Sequence, residues 1–226
     1  MDPTLDQSVR AADPDRWYSS RFISDQARRA NVIALYAYDA ELARAERITS
    51  SGLIAEIRLT WWREVLDSIY AGLPVRRHPV AQALAAAVRS GSPRRDLLES
   101  MIDGRIAVLD LARLETKAAE AWAETTAGAC TRLAMHLLDP AASSEPARLA
   151  GKVWGLHLIL RRQICDPVAV TEILKDSLAN AKSAVRAVSA AGFPALAHVA
   201  LCGRERTLSP LEKRLRLVLA VGRGRL

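Results

Sequence analysis

Between Ser24 and Thr49 the apolar residues Val32, Leu35, Tyr36, Tyr38, Leu42 and Ile48 recur at mixed three- and four-residue steps. That is the spacing of a helix with one buried face. Ser24 is the expected cap and Ser50-Ser51-Gly52 the expected stop. A second helix is expected over Ser51–Ala71, with a stripe of Ile54, Ile57, Trp61, Val65 and Ile69, flanked by Trp62 and Leu66. Gly72 and Pro74 close it.

The same reading continues down the chain. His78-Pro79 starts an alanine-rich helix, and Gly91-Ser92-Pro93 ends it and opens the next, with Ser92 as cap and Pro93 as first helical residue, running to about Arg113. Helices follow over Lys117–Leu138, from Pro146 through Arg162, from Asp166-Pro167 to about Ala191, and over Pro194–Cys202. Ser209-Pro210-Leu211-Glu212 is a capping box with proline at the first helical position. No period-two alternation supports a strand, and no repeat of fixed period is present. Residues 1–15 read as an irregular lead-in, and residues 16–226 as one all-α domain, a bundle of eight or nine helices.

Composition agrees with helices: the 226 residues are 50% hydrophobic but only 5% aromatic, with alanine and leucine dominant. The net charge of +7 permits an anionic partner. The arginines are scattered beside acids, which argues against a nucleic-acid groove. Cys130, Cys165 and Cys202 are far apart and form no C-x-x-C, so buried free thiols are expected rather than a disulfide framework or a zinc site. The opening M-D-P-T-L-D-Q-S is unlike a targeting leader, and the longest uncharged run, Ala187–Gly203, is broken by Gly192 and Pro194. It falls short of the ~20 residues a membrane span needs. The expectation is a cytoplasmic protein, or one peripheral at the inner face of a membrane.

The run L-Y-A-Y at 35–38, then E-I-R-L-T-W-W-R-E-V-L-D-S-I-Y-A-G at 56–72, H-P-V-A-Q-A-L at 78–84, A-G-A-C-T-R-L at 127–133 and G-K-V-W-G-L-H-L-I-L-R at 151–161 resembles the squalene/phytoene synthase family in order and spacing. The tryptophan pair with the downstream H-P-V-A is most similar to a divergent branch that includes a mitochondrial complex I assembly factor. The resemblance implies the isoprenoid (terpenoid) synthase fold. Active members need two aspartate-rich motifs, because Mg²⁺ must bridge a prenyl diphosphate to facing carboxylates. Aligned on L-Y-A-Y, the first motif falls on Ala43, Arg44, Ala45, Glu46 and Arg47, where the acid occupies a spacer position. The second falls on Leu158–Asp166, with Arg162 in place of its first aspartate, Asp166 better placed as a helix cap, and no R-G-R-x-Y-L-P segment after it.

The resemblance therefore implies a catalytically degenerate relative acting as a binding or assembly protein, with no catalytic residue, metal ligand or cofactor of its own. Its partner would be a protein subunit of a membrane complex, such as respiratory complex I. The alternatives are a divergent prenyl transferase of isoprenoid biosynthesis, using Mg²⁺ held by Asp39, Glu46, Asp103 or Asp110, and a metal-free carrier of a prenyl phosphate. For binding, Arg44 and Arg47 with Arg161 and Arg162 would line one cavity mouth in such a fold, where guanidinium groups can grip phosphate. Pairing with Glu41 and Glu46 is the simpler reading. Tyr36, Tyr38 and Trp62 could line an isoprenoid cavity, as could Trp61, Trp122, Trp154 and Tyr70, or be ordinary core.

Glu99, Asp103 and Asp110 share one helical arc, but Arg95, Arg113 and Lys117 beside them point to a solvated face. His136 and His157 lack a second ligand at metal spacing. The basic amphipathic segment with Leu211, Leu215, Val218 and Leu219 reads as a last helix packed on the bundle, with contact to an anionic membrane or a partner as the alternative.

Overall fold

The computed structural model describes residues 3–47, 52–203 and 208–226, without the side chains of Pro3 and Arg47. Among them are eleven α-helices: α1 (Pro3–Ala12), α2 (Pro14–Ser20), α3 (Gln26–Arg47), α4 (Gly52–Tyr70), α5 (Pro79–Gly91), α6 (Arg95–Ile106), α7 (Thr116–Ala123), α8 (Ala129–Leu138), α9 (Glu145–Arg162), α10 (Pro167–Ala184) and α11 (Pro210–Arg223). No strand occurs among the described residues, and extended pairing is confined to a bridge between Leu114 and Cys165.

Helix α3 is the axis of the bundle. Residues 32–39 are buried without interruption, so this stretch is surrounded on all sides by α1, α2, α4, α5, α6 and α8. The expected single face is thus too narrow, and a helix that is apolar all round belongs in a core. Its cap is Asp25 rather than Ser24: the carboxylate accepts from the Ala27 and Arg28 amides at 2.8 and 3.0 Å. The expected stop at Ser50–Ser51 and the apolar residue Ile48 lie outside the described residues.

Helix α9 is the second axis, packed against α7, α8 and α10. Its close approach depends on two glycines. A Cβ on Gly151 would stand 2.6 Å from Gly128 Cα, and one on Gly155 would stand 2.6 Å from Ala123 Cα. Between α7 and α8 the chain makes one π-type turn, Glu124–Gly128, so the expected helix Lys117–Leu138 is continuous but locally widened and underwound at this crossing.

Several boundaries differ from the sequence reading. The lead-in expected to be irregular forms α1, whose Leu5 and Val9 are buried. On α4 the buried stripe is Ala55, Leu59, Trp62, Val65 and Leu66, leaving Ile54 and Ile57 exposed. Helix α6 starts at Arg95, with Arg94 rather than Ser92 as its cap residue, and stops at Ile106, where the chain turns to reach the α9–α10 junction through Leu114 N–H to Ile164 C=O at 2.6 Å. Asp110 consequently leaves the arc of Glu99 and Asp103. Helix α10 ends at Ala184, and Phe193–Leu201 forms tight 3₁₀ turns.

Two signals hold. The Asp166 carboxylate accepts from the Val168 and Ala169 amides, and Ser209 and Glu212 close a reciprocal capping box on α11. The three cysteines are buried free thiols.

Candidate functional site

The junction of α1 and α2, the middle of α3, and the facing sides of α6, α7, α9 and α11 enclose a cavity of about 290 Å³. Its floor is an ion-pair chain that crosses the bundle. Asp39, at the end of the continuously buried run of α3, accepts from Arg105 Nη2 at 2.6 Å and from Arg16 Nη2. Arg16 also donates Nε to Asp13 at 2.6 Å, rests 4.9 Å over the Tyr36 ring, and points Nη1 at Cys130 Sγ at 3.1 Å. Arg105 donates to its own helix at Met101 C=O, 2.7 Å, and stands 3.7 Å from Glu46. Arg162 of α9 closes the chain on Glu46 at 2.6 Å and lies 5.6 Å over Trp122.

Asp39, Arg16 and Arg105 are each at most 4% exposed, so none of this charge is screened by water. Burial pushes the Asp39 carboxyl up, but Arg16 and Arg105 outweigh it through charge and hydrogen bonds and hold it at about 2. Burial pushes the Cys130 thiol up to about 12, so it faces Arg16 as a neutral thiol and not as a thiolate nucleophile.

Arg16, Arg105, Arg161, Arg162 and Lys213 line the cavity against Asp13, Asp15 and Asp39, leaving cations in excess. Lys213 of α11 is itself held by both Asp15 oxygens at 2.8 Å. Several polar atoms around this region have no hydrogen-bond partner among the described residues: Trp122 Nε1, Trp154 Nε1, Tyr36 Oη and both ring nitrogens of His198, whereas Arg105 Nε and Glu46 Oε2 face each other as an ion pair at 3.7 Å. His198 stacks edge-on to Trp154 at 4.8 Å, and burial drives its imidazole down to about 3. His157, 5.4 Å from the same indole, is driven down to about 4 by burial and by Arg161 and Lys213. Both rings are neutral near pH 7.

The donor set does not fit an Mg²⁺–diphosphate centre. The cavity's carboxylates are taken up, Asp39 by Arg16 and Arg105, Asp13 by Arg16 and Asp15 by Lys213, and Glu46 beside it is paired with Arg105 and Arg162. No cluster of three or more His, Cys, Asp or Glu among the described residues is arranged to hold a metal ion. Asp103 pairs with Arg63 at 2.6 Å, and Glu99 with Arg95 at 2.8 Å, as a solvated face would.

The expected binding residues separate. Arg161 and Arg162 line the central cavity, whereas Arg44 and Trp62 face a different one of about 310 Å³, with Glu41, Trp61 and His78. Arg44 therefore does not share a mouth with Arg161 and Arg162; its neighbours on α3, Asp39 and Ala43, point to the central cavity while it turns away with Glu41, 3.7 Å distant. The Arg47 side chain lies outside the described residues. Tyr36 and Tyr38 are core: Tyr36 lies under Arg16, and Tyr38 donates to Leu98 C=O at 3.0 Å and packs on Trp62. Trp122 and Trp154 are the tryptophans that line the central cavity.

Sequence reasoning missed Arg16 and Arg105 altogether. Arg105 carried a readable signal, since it continues the apolar face Leu98, Met101 and Ile102 of α6, and a charge on such a face needs a buried partner. Arg16 carried none, because its stretch did not read as helical.

A family model described as squalene/phytoene synthase matches residues 9–169. The NADH dehydrogenase (ubiquinone) complex I, assembly factor 6 of Bos taurus is 30% identical over 136 residues, which cover 59% of this chain and 40% of the relative. That of Homo sapiens is 29% identical over the same span and shares. The match thus takes in about 40% of the length of these curated relatives. Among solved structures, a dehydrosqualene synthase in complex with ligand superposes with a TM-score of 0.71 at 14% identity, covering 97% of this chain and 94% of that one. A squalene synthase from Alicyclobacillus acidocaldarius gives 0.61 at 15% identity, covering 98% and 89%. The fold is therefore the all-α isoprenoid synthase fold.

Proposed function

The chain belongs to the squalene/phytoene synthase family, and we propose that within it the protein serves as a binding and assembly factor and not as a prenyl transferase. The observation that carries the reading is the arginine–carboxylate chain through Asp39 and Glu46. Where the family places metal-binding acids, this sequence has Ala43, Arg44 and Arg162, and the two acids nearby are neutralised by three guanidinium groups. A diphosphate–metal cluster would have to displace bonds buried at the centre of the bundle. The likeness to complex I assembly factor 6 supplies the direction: a protein partner in a respiratory NADH dehydrogenase.

The test is genetic and biochemical. Deleting the gene should lower the amount of fully assembled NADH dehydrogenase on native gels and its NADH-dependent quinone reduction, and wild-type protein should restore both. Unchanged assembly, with loss of a squalene- or carotenoid-type product instead, would refute the reading.

A second reading is supported by the partnerless donors and surplus cations around the central cavity: a metal-independent site for a phosphate ester such as a prenyl phosphate. A ligand that binds only the native state must raise the melting temperature. Farnesyl monophosphate should therefore raise it equally with Mg²⁺ and with EDTA, and Arg161→Ala should weaken the effect. No rise at millimolar ligand would remove this second reading and leave the first in place.

A further inference from the structure

Helix α11 has two apolar faces, and the bundle uses one. Leu217 and Ala220 are buried against Phe193, Ala197 and Leu201, and Lys213 ties the same side to Asp15. On the opposite side Leu211, Leu215, Val218 and Leu219 are 75%, 58%, 52% and 41% exposed. At 100° per residue these four and Gly222 fall in one arc roughly a helix wide.

The charges around that arc choose its occupant. Arg214 borders one long edge, and Arg216 and Arg223 the other. Arg214 is already stacked 4.9 Å over Tyr18 and donates to its hydroxyl at 2.6 Å. Glu212, the sole acid of the helix, accepts from the Ser209 amide at 2.8 Å in the capping box, and the cations along the face outnumber it. An apolar strip bordered on both sides by arginine matches a bilayer interface, where leucines enter the acyl boundary and guanidinium groups remain at the phosphates. A partner helix would need a matching acidic border and a fixed register, whereas a lipid surface needs neither. No helix among the described residues is long and apolar enough to cross a membrane, so contact would be with the surface.

We propose that the outer face of α11, Leu211, Leu215, Val218 and Leu219 between its arginine edges, docks the folded protein onto an anionic phospholipid surface. The docking is independent of what the central cavity binds, because the strip faces away from it.

Co-flotation of the full chain with vesicles tests this. Vesicles of phosphatidylcholine mixed with phosphatidylglycerol should carry the protein up the gradient, and pure phosphatidylcholine should not. The Leu215→Glu/Val218→Glu variant changes exposed positions alone, so its melting temperature should match wild type while its partitioning falls by about tenfold or more. Arg216→Gln/Arg223→Gln should lose a similar amount, and raised salt should mimic it. Equal flotation with neutral vesicles, or full binding by the folded glutamate variant, would overturn the proposal. So would failure to float combined with self-association that the glutamate variant abolishes, which would assign the face to a second copy of the chain.

Discussion

Replacing Asp39 with alanine should destabilise the protein by about 3 kcal/mol. Breaking a buried ion pair by removing one partner typically costs about 3–5 kcal/mol, because the remaining charge is stranded away from water. Here the carboxylate bridges two guanidinium groups, each at most 4% exposed. The lower end applies because neither arginine is left without a partner: Arg16 keeps Asp13 at 2.6 Å, and Arg105 keeps Met101 C=O at 2.7 Å.

A separate handle comes from protons. The Asp39 carboxyl lies at about 2 in the fold against an ordinary 3.8, a difference that corresponds to about 2 kcal/mol at neutral pH. Since the folded value is depressed, that stability is present above pH ~4 and disappears as pH falls toward ~2. Urea denaturation followed by far-UV circular dichroism measures both quantities. In a chain of this size 3 kcal/mol lowers the melting temperature by about 6–12 °C. A loss below about 1 kcal/mol for Asp39→Ala, or an acid slope below pH 4 identical to that of wild type, would refute the buried chain as the organising element of the core.

Other outcomes follow from the same geometry. His198 and His157 sit at about 3 and 4, below their usual 6.5, so the fold should lose stability as pH falls from 6.5 toward those values; His198→Phe should flatten that loss in a melting-temperature scan. Gly151→Ala would press a Cβ to 2.6 Å from Gly128 Cα and 2.7 Å from Ala127 C=O, both backbone; a cost of about 1–3 kcal/mol is expected by chemical denaturation, and no loss would mean that α9 is free to shift. Ser209→Ala removes one half of the capping box on α11 and should cost about 1 kcal/mol, read as faster hydrogen exchange in the first turn of that helix.

The helices were legible where the sequence carried local chemistry. Asp166-Pro167 and Ser209-Pro210-x-Glu212 start helices because a side-chain acceptor and a fixed φ act within one turn, whatever the rest of the fold does. Burial was less legible. Ile54 and Ile57 read as core but are exposed, because the packing of α4 on α3 and α6 selects Ala55 and Leu59 instead, and hydrophobicity along one helix does not say which way it is turned. The continuous burial of residues 32–39 has the same origin: six helices around α3 cover every side, including Asp39. The site depended on long-range pairing. Arg16, Asp39, Arg105, Glu46 and Arg162 come from α2, α3, α6 and α9, and no local spacing links them. The family motifs located Glu46 and Arg162, whereas Arg16 and Arg105 emerge when the helices are packed.

The most direct test of metal-independent function is diphosphate release from farnesyl and geranylgeranyl diphosphate by the purified chain with saturating Mg²⁺. The arginine-neutralised carboxylates lead us to expect release no faster than in a protein-free control. Saturable, Mg²⁺-dependent release by the wild-type chain would contradict the proposal that metal-dependent prenyl transfer has been replaced by a binding and assembly role.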